Sequence, residues 1–228
     1  MKTTEPAMIR RGIYESLSAV ANAFASPARL KVIQILAQSP RSVEELAQET
    51  GESVANVSQH LQKLSKARVT SCERSGVKRI YRVINPKVLQ IWENFQDLSH
   101  ELDPALDLQE GLLTNPSLHA LEPAAEIMRE VRAGKAVLID AREEKESAAT
   151  PVSGALPISL TQLRKAKNLK ELGLTRSKPI FVLCRGRYCS IASNAVLALR
   201  TWGCDVYRLR ESPFQLNRIA SGVRARTS

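Results

Sequence analysis

The apolar residues of this 228-residue chain change their spacing once, near residue 122, and that change restricts the chain to two unlike halves. Before it, they recur every three or four positions: Ile13, Leu17, Val20 and Phe24, then Leu30, Ile33 and Leu36. That spacing predicts helices with one buried face over 9–24 and 27–38. After it, continuous apolar runs at Ala136–Asp140, Pro179–Cys184 and Asp205–Leu209 alternate with helical stretches at Ala124–Arg132, 161–172 and Ile191–Trp202. Alternating strands and helices predict a mainly parallel α/β sheet. Residues 108–121, with Gly111 and Asn115-Pro116, read as a linker. The expected architecture is therefore multi-domain: a mainly-α half over 1–107, the linker, an α/β half over 122–222, and a basic tail at 223–228.

Capping residues refine the first half. Ser26-Pro27 opens one helix and Ser42-Val43-Glu44-Glu45 opens the next with a capping box. Gly51 suits a helix end, and Ser53 caps the stretch SVANVSQHLQKLSKA. On that helix Val54, Val57, Leu61 and Leu64 are expected in the core, leaving Ala55, Asn56, Gln59, Gln62, Lys63 and Lys66 outside. Two short helices joined by a tight turn form a helix-turn-helix. Asn and Gln suit adenine edges, and Lys suits phosphates. An amphipathic helix with a solvated polar face has the same pattern, and the next segment favours the first reading. Residues Val69–Arg74, Ser75-Gly76 and Lys78–Val83 read as strand, turn and strand, a basic wing suited to the DNA backbone. Between Lys63 and Arg82 lie seven basic residues and one acid, Glu73. The net charge of +10 is weaker evidence, because +2 belongs to residues 1–107 and +8 to the rest. Val88–Leu106 is expected as a closing helix with Leu89, Trp92, Phe95 and Leu102 on its apolar side.

The segment from Ala21 to Val83 resembles an ArsR-type winged helix, through its SPxRL, S-V-E-x-L-A and V-S-x-H-L-x-x-L elements. The resemblance implies a homodimeric repressor, paired through its first and last helices on palindromic operator DNA. It places Ser53, Asn56, Ser58, Gln59 and His60 on the DNA-reading helix, and Arg74, Lys78 and Arg79 on the wing; Lys63, on the same outer face, is expected at a phosphate. No Cys-x-Cys pair precedes the reading helix, and Asp97, His100, Glu101 and Asp103 read as a solvated face, so no metal is expected. Cys72, on the first wing strand, is expected half-buried.

In the second half, Cys184 ends an apolar strand and precedes Arg185-Gly186-Arg187-Tyr188-Cys189 and a helix. Open parallel sheets bind ligands at the carboxyl ends of their strands. Loop amides, the helix N-terminus, Arg185 and Arg187 are expected to favour the Cys184 thiolate, and Gly186 to permit the loop. Cysteine phosphatases need arginine six positions after the nucleophile, and Ser190 stands there. The loop, together with Val137–Arg142 and its Asp-x-Arg ending, resembles a rhodanese-like domain over about 122–220, and CRGRYC resembles the loop of ArsR–rhodanese fusions. That implies a sulfane sulfur carried on Cys184 and drawn from thiosulfate or a persulfide. Arg185, Gly186, Arg187, Tyr188 and Cys189 then line the substrate. Cys189 is either a resolving thiol or simply the start of the helix.

Two functions fit: a sulfur- or redox-responsive regulator, or a sulfurtransferase that uses the winged helix only to dimerise or localise. No cofactor is expected. No apolar run approaches the roughly 20 residues that span a bilayer, and Met1–Arg11 has no signal-peptide core, so a cytoplasmic location is expected.

Overall fold

The computed structural model describes residues 4–222, so the basic tail expected at 223–228 lies outside the described residues. The chain divides into two compact units, Met1–Asp97 and Leu98–Ser228.

The first unit begins with α1 (Thr4–Phe24) and α2 (Pro27–Leu36). Ser26 has the extended backbone of a helix cap, but its side chain makes no cap hydrogen bond. Buried Arg29 instead closes α1 by donating to the carbonyls of Asn22 at 2.6 Å and Ala23 at 2.8 Å. Those carbonyls have no partner within a helix that stops at Phe24, and the guanidinium supplies one. Strand β1 (Arg41–Ser42) leads into α3 (Val43–Thr50), which starts with the expected Ser42–Glu45 capping box and ends at Gly51 in the left-handed region, φ 75°. Helix α4 (Val54–Lys66) is capped by Ser53. The hairpin β2 (Thr70–Ser75) and β3 (Lys78–Val83) turns at Gly76, φ 59°, and forms a sheet of order β1-β3-β2. Helix α5 (Pro86–Leu102) stops before Asp103-Pro104, shorter than expected, because proline disfavours helical backbone in the residue before it.

The core of this unit joins Phe24, Ile33, Leu46, Val57, Leu61, Leu64 and Tyr81, with Trp92 packed against it. Val54 was expected there but is 49% exposed. It is the first residue of α4 and lies ahead of the turns that pack. Cys72 was expected half-buried and is exposed, because the wing projects beyond the core after Thr70.

The second unit contains α6 (Ala105–Thr114), a 3-10 turn at Pro116–Leu118, α7 (Ala124–Arg132), β4 (Val137–Asp140), α8 (Glu144–Ala149) and β5 (Ala155–Pro157). There follow α9 (Leu160–Lys165), a 3-10 turn at Leu169–Leu172, β6 (Ile180–Leu183), α10 (Ile191–Thr201), β7 (Val206–Arg208) and α11 (Pro213–Ala220). Segment 108–121, read as a linker, holds most of α6 and the first 3-10 turn, with Thr114 and Leu118 buried.

All strand pairs in the sheet β5-β4-β6-β7 are parallel. Alternate residues of the central strands serve opposite faces. Ile139 and Val182 pack with Ala192, Ala195 and Leu163 of α10 and α9, whereas Leu138 and Phe181 pack with Ile127, Met128 and Leu216 of α7 and α11. From β4 the chain crosses to one side to make β5 and returns to the other to make β6. The carboxyl ends of β4 and β6 therefore flank the point where strand order reverses, the usual ligand position in such sheets.

Candidate functional site

Cys184 follows the last residue of β6 at this switch point and is fully buried. Its thiol donates to the carbonyls of Cys189 at 3.5 Å and Gly186 at 3.9 Å. Gly186 has φ +103°, a backbone that requires glycine, and a Cβ there would also press the Ser212 Cβ at 3.3 Å. The expectation that loop amides face the sulfur is corrected: two loop carbonyls face it. An amide comes instead from the first turn of α10, where Ala192 N–H favours the Cys184 anion. Ser190 caps α10 without a side-chain hydrogen bond, leaving those first amides to the sulfurs.

The two cysteines of the loop titrate as a pair. The neighbouring Cys184 side chain lowers Cys189 to about 6, assisted by the backbone amides of Ile191 and Arg185 and the charge of Arg185. The Cys189 side chain, together with burial, raises Cys184 well above the ordinary thiol value. In the closed loop the two side chains shift each other's ionisation in opposite directions, with Cys189 lowered and Cys184 raised. Burial disfavours the charge on Cys184.

The loop arginines are not free cations. Arg185 grips Glu146 through two nitrogens at 2.9 and 3.1 Å, and the Glu146 side chain is wholly buried. Arg187 lies 3.8 Å from Glu110, which also takes a bidentate bond from Arg210 at 2.7 and 2.8 Å. The hydroxyl of Tyr188 is 3.0 Å from His100 Nε2, and His100 Nδ1 is 2.7 Å from Asp107. His100 Nε2 is also 3.5 Å from Glu110. His100, Asp107 and Glu110 have atoms close enough to hold a cation. Two guanidiniums already neutralise Glu110, so the cluster is an ion-pair network rather than a metal centre. The guanidinium behind the loop is Arg208, fully buried, whose NH2 donates to the carbonyls of Gly186, Arg187 and Cys189 at 3.0–3.2 Å. The sequence reading missed it, because it lies on a different strand and belongs to no motif.

Asp140 and Arg142 form a buried ion pair at 2.6 Å. Arg142 also donates to Thr150 Oγ1 at 2.7 Å and to the Thr150 carbonyl at 2.8 Å, which pins the turn after β4.

In the first unit, Asn56, Gln59 and Lys63 are exposed along one side of α4, and Arg74, Lys78 and Arg79 are exposed on the wing. Ser53 is exposed at the N-cap, while Ser58 is half-buried. His60 is also half-buried, with Nε2 3.3 Å from Glu52 and a buried Nδ1 that has no hydrogen-bond partner. The predicted reading residues thus fall on two surfaces of α4, with His60 turned toward its own chain.

Residues 26–70 match the family described as bacterial regulatory protein, arsR family, and residues 123–214 match the rhodanese-like domain. The chain is 29% identical over 208 residues to the HTH-type transcriptional regulator Rv0324 of Mycobacterium tuberculosis, covering 88% of this chain and 86% of that protein. It is 40% identical over 67 residues to KmtR of the same organism, covering 29% of this chain and 52% of that one. Among solved structures, it is similar to the homodimeric winged helix-turn-helix domain Mb0332 of Mycobacterium bovis, at 27% identity and TM-score 0.39, over 40% of this chain and 85% of that one. Residues 26–70 therefore carry an arsR-type helix-turn-helix, and residues 123–214 carry a rhodanese-like domain.

Proposed function

We propose that this protein is a repressor that carries sulfane sulfur on Cys184 and changes its operator affinity when loaded. Residues 1–107 are the DNA-binding and dimerisation domain, 108–121 the connection and 122–222 the sulfur domain. The reading rests above all on Cys184, placed at the switch point of a parallel sheet with a second thiol closing its loop. The exposed amides of Asn56 and Gln59 read bases, while Ser53, Lys63, Arg74, Lys78 and Arg79 hold phosphates. Ser58 and His60 fit the rim of that surface. The named relatives are transcriptional regulators, and one solved neighbour is a homodimer. An apolar face on α1 and α5 supports the same assembly for this chain: Ile13, Leu17 and Phe95 are all exposed.

Loading follows ordinary thiol exchange. The Cys184 thiolate attacks the outer sulfur of thiosulfate, forming Cys184–S–S⁻, and the sulfur–sulfur bond of the donor breaks with its electron pair leaving on sulfite. An acceptor thiolate then attacks the outer sulfur of the persulfide and releases the Cys184 thiolate. The two thiols titrate together, and attack requires the negative charge on Cys184.

Coupling of sulfur to DNA needs about 1–3 kcal/mol, or about five- to 150-fold in operator affinity. Gel-shift titration of thiosulfate-treated wild type and Cys184→Ser is expected to separate the two by at least fivefold. Equal affinities would remove the sensing role. A measurable turnover with no protected palindrome would instead favour a sulfurtransferase that only dimerises through its winged helix.

A further inference from the structure

Arg208 stands apart from the other arginines around the sulfur loop. Arg142 is paired with Asp140, Arg185 with Glu146, and Arg187 and Arg210 with Glu110. Arg208 is fully buried at the end of β7, and no carboxylate lies within ion-pair distance of it among the described residues. Its NH2 meets three carbonyls, of Gly186 at 3.1 Å, Arg187 at 3.2 Å and Cys189 at 3.0 Å. Its NH1 is 3.1 Å from His119 Nε2, and its Nε is buried without a hydrogen-bond partner.

His119 is not the missing counter-charge. Its Nε2 must accept from Arg208, so the ring is neutral, and burial followed by the charges of Arg208 and Arg210 holds its pKa down. Every group that touches the guanidinium is thus neutral. An ion removed from water with only neutral partners is unfavourable unless an anion completes its surroundings.

The sulfur of Cys184 is the group placed to do so. Its thiol donates to the Gly186 and Cys189 carbonyls, two of the three that also receive Arg208. One shared layer of carbonyls therefore separates the guanidinium from the sulfur. We infer that Arg208 is the counter-ion that stabilises an anionic sulfur on Cys184, thiolate or persulfide, while Arg185 and Arg187 anchor the loop to carboxylates. The inference rests on the sulfur-carrier reading for the persulfide, but not for the thiolate. The charge of Arg208 also favours ionisation of Cys184 against the opposing effects of Cys189 and of burial. Arg208 reaches the sulfur through the loop, so it is a positioning residue whose charge matters.

The test is the pH profile of Cys184 alkylation by iodoacetamide in the full chain. Trypsin cleavage at Arg185 and Arg187 separates Cys184 from Cys189, so each is read on its own peptide. Arg208→Met is expected to move the Cys184 midpoint upward by one pH unit or more, which slows alkylation about tenfold near neutral pH. Arg208→Lys keeps the charge and is expected to stay near wild type. A folded Arg208→Met protein with an unmoved midpoint would overturn the assignment, as would Arg208→Lys shifted as far as Arg208→Met. If Arg208→Met does not fold, Arg208→Lys decides alone: an unmoved midpoint supports the counter-ion, and a shift of a full unit overturns it. Mass spectrometry after thiosulfate treatment tests the sulfur reading separately. One added sulfur on the Cys184 peptide of wild type, reduced in Arg208→Met, supports both. No added sulfur in wild type sinks the carrier role, while the alkylation midpoints still judge Arg208.

Discussion

Cys184 and Cys189 are five positions apart in sequence and titrate as a pair. As pH rises through about 6 the pair is expected to release one proton, and the second only well above the ordinary thiol value. Thiolate absorbance of the wild type in the ultraviolet, with Cys189→Ser as the blank, should therefore show one early step. Cys184→Ala removes the coupled neighbour, so the Cys189 midpoint should climb back toward 9.0. An early step that survives Cys184→Ala would mean that α10 amides and Arg185 alone stabilise the anion. The sequence pointed to a reactive thiol in this loop but not to the coupling of its two sulfurs. That coupling and the burial of one of them are properties of the folded loop, and neither is encoded in the spacing.

The loop as an element is held shut. Arg185, Arg187 and Tyr188 are tied to Glu146, Glu110 and His100, on α8, α6 and α5 respectively. Cys184 is fully buried beneath them, so the proposed sulfur donor would have to displace the loop to reach it. A net hydrogen bond contributes about 1 kcal/mol, worth about fivefold in an opening equilibrium. Tyr188→Phe removes the hydroxyl that meets His100 and is expected to raise Cys184 alkylation about fivefold at constant pH. An unchanged rate would show that the tyrosine does not restrain the loop. Helices α3 and α4 were legible before folding because their signals are local: a capping box, a glycine with positive φ, and a serine cap. Helix α8 and the short edge strands β1 and β5 were not legible. At two to six residues, they are stabilised by neighbours rather than by their own periodicity.

On the scale of the whole molecule, the first helix carries side chains that its own chain does not cover. Ile13 and Leu17 are 55% and 60% exposed, although their spacing marks them as one apolar face. A second copy would bury such a face, as the proposed homodimer requires. Leu17→Glu is expected to leave the winged-helix core intact, since Leu17 is not in it, and to convert the dimer to monomer. Sedimentation velocity should detect the change, and operator affinity should fall at least tenfold as the second half-site is lost. A dimer that persists in Leu17→Glu would place the interface elsewhere.

By itself the sequence determined the two-part architecture, the helix-turn-helix and wing, and the cysteine loop after a buried strand. Each of those depends on residues close together in the chain: apolar period, caps, turn glycines and a six-residue motif. Only the tertiary structure decided which charges the loop encounters. Glu110, Glu146 and Arg208 lie between 19 and 77 positions from the loop residues they touch, and folding alone brings them there. The loop arginines that read as anion receptors are neutralised by buried carboxylates. Arg208 sits behind the loop with no carboxylate partner among the described residues, and no local pattern marked it, because net charge at a buried site is set by what packs around it.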